Sequence, residues 1–269
     1  MIRAPLSTTS VLDDAAEIVT MTLPWAALQI ATSIPYRLLQ ALFLDQLLEV
    51  GAEASKYGNL LGMTANMIVA TVLLALWGRT VHARACRLAS ARGEAPGREA
   101  WRVPAPALAS YVLTGSSAIL AGYLALPTIL GFFAAVMFAG AAIGTFELND
   151  RVSLTRPFAL MIRHSKSIRI PFALVLVFLC ATAVAWVNVL AAFQLVASLA
   201  SSVGNFDAPG WAVLFTNANR RFVLMTLAGA FLIVEPFWIA AQVLLVRKAG
   251  AEESGDDLRT WFEELQRAS

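Results

Sequence analysis

The sequence is poor in charged residues, since Asp, Glu, Lys and Arg together make up only 14% of its 269 residues. Soluble domains carry about 25%. Hydrophobic residues account for 58% of the chain, and the mean hydropathy is +0.68. So little charge cannot easily cover the surface of a globular domain in water. The composition therefore disfavours a soluble enzyme and indicates an integral membrane protein.

Cysteine and histidine are also scarce. The two cysteines, Cys86 and Cys180, do not suffice for a disulfide framework, and the two histidines, His82 and His164, do not suffice for a histidine-rich metal site. The chain contains no nucleophile elbow, phosphate-binding loop or zinc-protease motif. The net charge of +2 requires no nucleic-acid partner. The sequence thus predicts a protein without catalytic residues, metal or cofactor.

Long uncharged runs are present instead, of 44 residues at 103–146 and of 37 residues at 170–206. A bilayer core about 30 Å thick needs about 20 helical residues, so the first run suffices for two crossings, and Pro127 divides it near its middle. We predict an all-α, polytopic membrane bundle forming a single domain over residues 1–269. Its six spans are 22–44, 63–80, 104–126, 127–146, 171–200 and 222–246.

Three segments outside these spans have apolar residues at helical spacing, at 10–21, 155–167 and 256–268. In the first, Ser10 is expected to cap a helix that begins at Val11. Such amphipathic helices can lie in the headgroup plane or pack against the ends of the bundle, and both interpretations stay open. Glycine and proline predict a flexible loop at 89–99.

The basic residues are distributed unevenly about the predicted spans. Sixteen of the 20 fall in the termini and in the second and fourth loops. They are Arg3, Arg79, Arg84, Arg87, Arg92, Arg98, Arg102, Arg151, Arg156, Arg163, Lys166, Arg169, Arg247, Lys248, Arg259 and Arg267. The positive-inside rule places both termini in the cytoplasm. Arginine greatly outnumbers lysine, which suggests a GC-rich bacterial genome and hence the bacterial inner membrane. Membrane lipids are the expected partners, and the basic residues can also contact anionic headgroups.

Apart from Arg79 at the end of the second span, two charged residues lie inside predicted spans, Arg37 in the first and Glu235 in the last. A charge near the middle of a bilayer costs about 2.5–3.5 kcal/mol unless it is paired, protonated or hydrated. The two spans run antiparallel in a six-span topology, which brings both residues to similar depths. We therefore expect an Arg37–Glu235 ion pair. A proton or substrate site at Glu235 is the functional alternative.

Two further features concern helix packing. Pro236 follows Glu235 directly and removes one backbone donor from the last span. Gly140 and Gly144 form a GxxxG motif in the fourth span, which allows two helices to approach closely. The motif can serve packing within the bundle or formation of a homodimer.

The order of short motifs resembles bacterial membrane proteins related to the glycerophosphoryl diester phosphodiesterase membrane domain. The motifs are Leu12-Asp13-Asp14-Ala15-Ala16-Glu17, the hairpin at Leu126-Pro127 with Glu147 after it, the basic segment Arg156–Lys166, Glu235-Pro236, and Ser254-Gly255-Asp256-Asp257-Leu258. The resemblance implies a six-span membrane fold. The hydrolase activity belongs to a separate catalytic barrel, for which this chain has no room.

We expect a non-enzymatic accessory or scaffold protein in envelope or lipid homeostasis, working with membrane lipids and other membrane proteins. The alternative is a transporter or lipid-handling protein with a polar cavity around Arg37 and Glu235.

Overall fold

The computed structural model describes residues 7–50, 54–125, 169–203 and 215–254. In chain order, the helices are α1 (Thr8–Met21), α2 (Leu23–Val50), α3 (Ala54–Arg92), α4 (Ala105–Ala125), α5 (Arg169–Val203) and α6 (Arg220–Ser254). A 3₁₀ turn at Arg98–Trp101 lies between α3 and α4. The described residues contain no strand, so the predicted all-α class is confirmed for them.

Three helical stretches are long and apolar enough to cross a membrane: Gly62–Arg92 in α3, Arg169–Ala200 in α5 and Arg220–Lys248 in α6. A fourth would consist of α1 together with Leu23–Gln46 of α2, two helices that meet at a bend of 87°. Six crossings were predicted, more than these three or four. The predicted span 127–146 and the amphipathic segments 155–167 and 256–268 lie outside the described residues.

The helices extend beyond the predicted spans. The span predicted at 63–80 belongs to α3, which has 39 residues, and the span predicted at 222–246 belongs to α6, which has 35. Charged residues end a hydrophobic run, but they do not end a helix, because arginine, lysine and glutamate are good helix formers. Helix length and apolar length therefore differ in this chain.

The first helix begins earlier than predicted, because Ser7 is its N-cap. The Ser7 hydroxyl accepts a hydrogen bond from the Ser10 backbone N–H at 3.1 Å, and the Ser10 hydroxyl accepts one from the Ser7 backbone N–H at 3.3 Å. This reciprocal arrangement is a capping box in which serine replaces the usual acid at the third helical position. The prediction that Ser10 is the cap of a helix starting at Val11 is therefore wrong.

Thr22 marks the bend between α1 and α2. It leaves the helical conformation, with φ −107° and ψ 18°, and its carbonyl accepts hydrogen bonds from Trp25 and Ala26 at the start of α2. Pro24 fits this first turn, because its missing N–H would have no partner there. The bend thus starts a new helix in which Thr22 satisfies the N–H groups of Trp25 and Ala26.

Contact clustering divides the chain into two units. Unit 1 comprises Met1–Gln29, Leu76–Val177 and Pro236–Ser269, and unit 2 comprises Ile30–Ala75 and Phe178–Glu235. Within unit 1, α1 buries Val11, Ala15 and Ile18, each exposed by at most 1%. This burial favours packing of α1 over the alternative in which it lies in the headgroup plane.

Unit 1 also contains a group of three tryptophans. The Trp101 ring lies 5.2 Å from that of Trp25 and 5.6 Å from that of Trp77, between ring centroids. The predicted flexible loop 89–99 is partly helical, since α3 continues to Arg92. Gly93 then ends the helix with φ +72°, a conformation that glycine adopts without strain.

Unit 2 contains an aromatic group of Phe193, Phe215 and Phe222, whose ring centroids are 5.4–5.9 Å apart. The Trp186 indole N–H donates to the Thr226 hydroxyl at 3.1 Å, linking α5 to α6. These contacts hold the helices that position the charged residues described next.

Candidate functional site

The structure brings together Arg37 of α2 and Glu235 of α6, the two charged residues singled out in the sequence. Arg37 Nη2 lies 3.3 Å from Glu235 Oε1, and the side chains are only 15% and 7% exposed. Both belong to unit 2. The guanidinium thus supplies the compensating charge that a carboxylate needs in an apolar helix.

Other side chains of unit 2 complete the environment of Arg37. Its Nη1 donates to Gln40 Oε1 at 2.8 Å, one turn further along α2. Its Cζ lies 5.5 Å from the centroid of the Tyr36 ring and 5.4 Å from that of Phe231, close enough for cation–π attraction. The arrangement has no nucleophile paired with a base, so its evident chemical property is to hold a charge pair in an apolar environment.

Some polar atoms at this pair are buried without a hydrogen bond among the described residues, Ser33 Oγ and Arg37 Nε among them. Ser33 is fully buried one turn before Arg37, and within the described residues its hydroxyl has no hydrogen-bond partner. Arg37 Nε is buried and likewise has no hydrogen-bond partner among the described side chains and backbone. Buried polar atoms in folded proteins are almost always satisfied, so these two positions suit a small polar molecule.

A second charged group in unit 2 joins α2 to the start of α6. Asp45, whose side chain is 3% exposed, accepts from Arg220 Nε at Oδ1 and from Arg221 Nε at Oδ2, each at 2.6 Å. Arg220 Nη2 also donates to the Asp45 carbonyl at 3.2 Å. One carboxylate thus holds two arginines that are themselves largely exposed to solvent.

Unit 1 has its own buried charge at Lys248 of α6, which is 2% exposed. Its Nζ lies 2.8 Å from Asp14 Oδ2 and donates to the Ser10 carbonyl at 3.2 Å. These two contacts attach α1 to α6. From the sequence, Lys248 was assigned only to the membrane topology. The acidic residues of α1 were the feature of the sequence that could have suggested its partner.

A fourth polar group surrounds the bend at Thr22. The Thr22 hydroxyl donates to the Ile18 carbonyl at 2.8 Å and lies 3.3 Å from His82 Nε2 and 3.8 Å from Cys86 Sγ. All three side chains are fully buried. The Thr22 side chain thus joins the bend to two side chains of α3.

The remaining predicted site residues are placed as follows. Pro236 lies inside α6, which continues through it. Gly140 and Gly144 lie outside the described residues, so their role in helix packing or dimerisation stays a prediction. Within the described ranges, no group of three or more His, Cys, Asp or Glu side chains is arranged to hold a metal ion.

Comparison of the chain with protein-family models, with curated proteins and with solved structures finds no match in any of the three. The resemblance to membrane proteins related to the phosphodiesterase membrane domain therefore stays a prediction from short motifs.

Proposed function

We propose that this protein is a six-span helical protein of the bacterial inner membrane that acts, without catalysis, as an accessory or scaffold in envelope or lipid homeostasis. The observation that carries the proposal is the buried Arg37–Glu235 pair. A buried charge that already has its counter-charge within the protein serves to join two helices, and needs no ligand for charge balance.

The six spans would be supplied by α2 to α6 and by residues 127–146. Three of these helices contain stretches long and apolar enough to cross a membrane. Helix α4 has 21 residues without a charged side chain, which at 1.5 Å per residue matches the thickness of a bilayer core. Residues 127–146 are counted as a span because of their composition alone.

The proposed orientation rests on the basic residues. Nine of the 13 lysines and arginines among the described residues belong to unit 1, and all nine are among the 16 that the positive-inside rule assigns to the cytoplasm. Arg37, Lys56, Arg220 and Arg221 are the four in unit 2. We accordingly assign both termini to the cytoplasmic side.

A transporter or lipid-handling protein is the second candidate, and the buried atoms of Ser33 and Arg37 favour it. A polar substrate or water that reached Glu235 would satisfy Ser33 Oγ and Arg37 Nε on its way. In this alternative Ser33 is required for function, whereas a scaffold does not need its hydroxyl.

The first test is co-purification of the tagged protein, cross-linked in its own cells at native expression level. We expect a defined envelope or lipid-metabolism protein in fixed stoichiometry, recovered equally well with the matched variant Ser33→Ala. Recovery of no partner, or loss of the partner in Ser33→Ala, would count against the scaffold.

The second test is the reaction of Glu235 with dicyclohexylcarbodiimide, which modifies protonated carboxyl groups in membranes. Because Arg37 compensates the charge of Glu235, we expect no modification at pH 7 in the wild type, and modification in Arg37→Gln, measured by peptide mass spectrometry. Rapid modification of the wild type, together with protection by a transported solute, would establish the transporter instead.

A further inference from the structure

The segment between α3 and α4 is held in a defined conformation by contacts within unit 1. Trp101 packs against Trp25 and Trp77, and the Trp25 indole N–H donates to the Pro96 carbonyl at 3.4 Å. Ala100 is fully buried. The 3₁₀ turn therefore presents its outward side chains in fixed positions.

Acidic and basic side chains of this segment differ in their partners. Glu99 is engaged, because its Oε1 accepts from Arg92 Nη1 at 2.6 Å and its carbonyl accepts from Arg84 Nε at 3.1 Å. Arg98 and Arg102 are exposed, and their side chains make no hydrogen bond or ion pair within the part of the chain that the structure describes. Each guanidinium carries five N–H donors, so the turn presents two cations whose donors are available to a ligand.

The aromatic group indicates the depth at which these cations lie. Three of the seven tryptophans of the chain meet here, and tryptophan is enriched where hydrocarbon meets water. Trp101 is 46% exposed, and the uncharged helix α4 begins four residues later at Ala105. In a 3₁₀ turn residues three apart lie on the same side, which puts Arg98 beside Trp101. The turn thus belongs at the level of the lipid headgroups.

We propose that the headgroup-binding surface formed by Arg98, Trp101 and Arg102 binds the phosphate of an anionic phospholipid. The two guanidinium groups donate to the phosphate oxygens, and the exposed edge of Trp101 covers the glycerol and the first acyl carbons. The inference rests on the proposed location in a membrane. It adds the class of lipid and the residues that select it.

The test is native mass spectrometry of the detergent-purified protein, titrated with equal concentrations of phosphatidylglycerol and phosphatidylcholine. We expect the wild type to retain the anionic lipid preferentially. A basic residue near an anionic lipid surface contributes enough to shift binding about fivefold, so Arg98→Gln and Arg102→Gln should each lower the preference by about that factor. Arg98→Lys and Arg102→Lys should retain most of it.

Two control variants separate the site from total charge. Lys56→Gln removes one positive charge in the first turn of α3 and should leave the preference unchanged, while Glu94→Gln removes an exposed negative charge near the turn and should strengthen it. An equal loss in Lys56→Gln and Arg98→Gln would overturn the proposal. The same holds for a wild type without preference, or for displacement of the lipid by millimolar inorganic phosphate.

Alkaline carbonate extraction of the cell membranes distinguishes this inference from the proposed function. If the protein is released by carbonate, the membrane-spanning proposal fails and this one fails with it. If the protein stays in the membrane pellet but shows no lipid preference, only the headgroup-binding surface is disproved.

Discussion

Arg37–Glu235 in unit 2 and Asp14–Lys248 in unit 1 both pair a residue of the first fifth of the chain with a residue of α6, yet water reaches them to different extents. In the first pair the side chains are 15% and 7% exposed. In the second, Lys248 is 2% exposed but Asp14 is 33% exposed. One pair is thus buried on both sides and the other on one side only.

The difference matters because the free-energy cost of a broken pair falls on the charge that stays buried. Removing either member of the Arg37–Glu235 pair leaves a buried charge behind. In the other pair, only the removal of Asp14 does so, since Asp14 itself can be hydrated when Lys248 is removed. The first pair should therefore respond symmetrically to substitution and the second asymmetrically.

The largest effect is expected for Arg37→Gln and Glu235→Gln. Each leaves one buried charge uncompensated and should lower the free energy of unfolding by about 3 kcal/mol, measured by thermal unfolding in detergent. The double variant Arg37→Gln/Glu235→Gln and the exchanged pair Arg37→Glu/Glu235→Arg should recover part of the loss. Double variants no more stable than the singles would show that the pair does not contribute as a unit.

An intermediate effect is expected at Lys248. Asp14→Asn leaves the buried ammonium with only the Ser10 carbonyl and should cost about 2 kcal/mol. Lys248→Met removes the buried charge and leaves a carboxylate that water can reach. It should therefore lower the free energy of unfolding by only about 1 kcal/mol. The same unfolding measurement decides the order. If Lys248→Met were the more destabilising change, it would be wrong that the buried ammonium depends on its partner more than the Asp14 carboxylate does.

The smallest effect concerns Arg92–Glu99, whose side chains are 56% and 36% exposed. Hydrogen bonds from the backbone N–H groups of Glu99 itself and of Gly97, and then the Arg92 guanidinium, hold the pKa of the Glu99 carboxyl below its usual value. A carboxyl group whose pKa is lower in the folded state stabilises the protein at pH values above its pKa in the unfolded state, which is about 4.3. This contribution disappears as the pH falls through the folded pKa.

Carbon-13 NMR of the Glu99 carboxyl checks this expectation, with Glu99→Gln to assign its resonance. The titration midpoint should lie below that of an unperturbed glutamate. Arg92→Gln should raise it only part of the way, because the backbone hydrogen bonds remain. Full return to the ordinary pKa in Arg92→Gln would make Arg92 the dominant cause.

Features that depend on local composition could be predicted from the sequence. Helical structure follows from long apolar runs, and Arg37 and Glu235 stood out because each is surrounded by apolar residues. The N-cap was misassigned to Ser10, although Ser7 has the same spacing to Ser10 that a capping box requires. The helix ends were also missed, since α3 continues through four arginines to Arg92.

Features that depend on distant contacts could not be predicted. Nothing near Lys248 in the sequence distinguishes it from Arg247, yet only the contact with α1 makes its burial tolerable. The fixed conformation of the 3₁₀ turn likewise depends on Trp25 and Trp77, which are 76 and 24 residues away from Trp101.

The sequence by itself determined the helical class that the described residues show, because uncharged runs of 37 and 44 residues are long enough for membrane-spanning helices, which satisfy their backbone groups internally. It also determined where charge is rare, and hence which charges needed partners. Only the tertiary structure decided which partner each charged side chain has, and which of the described arginine side chains have no partner. Those choices depend on distances between helices, and a linear pattern of polarity contains no information about such distances.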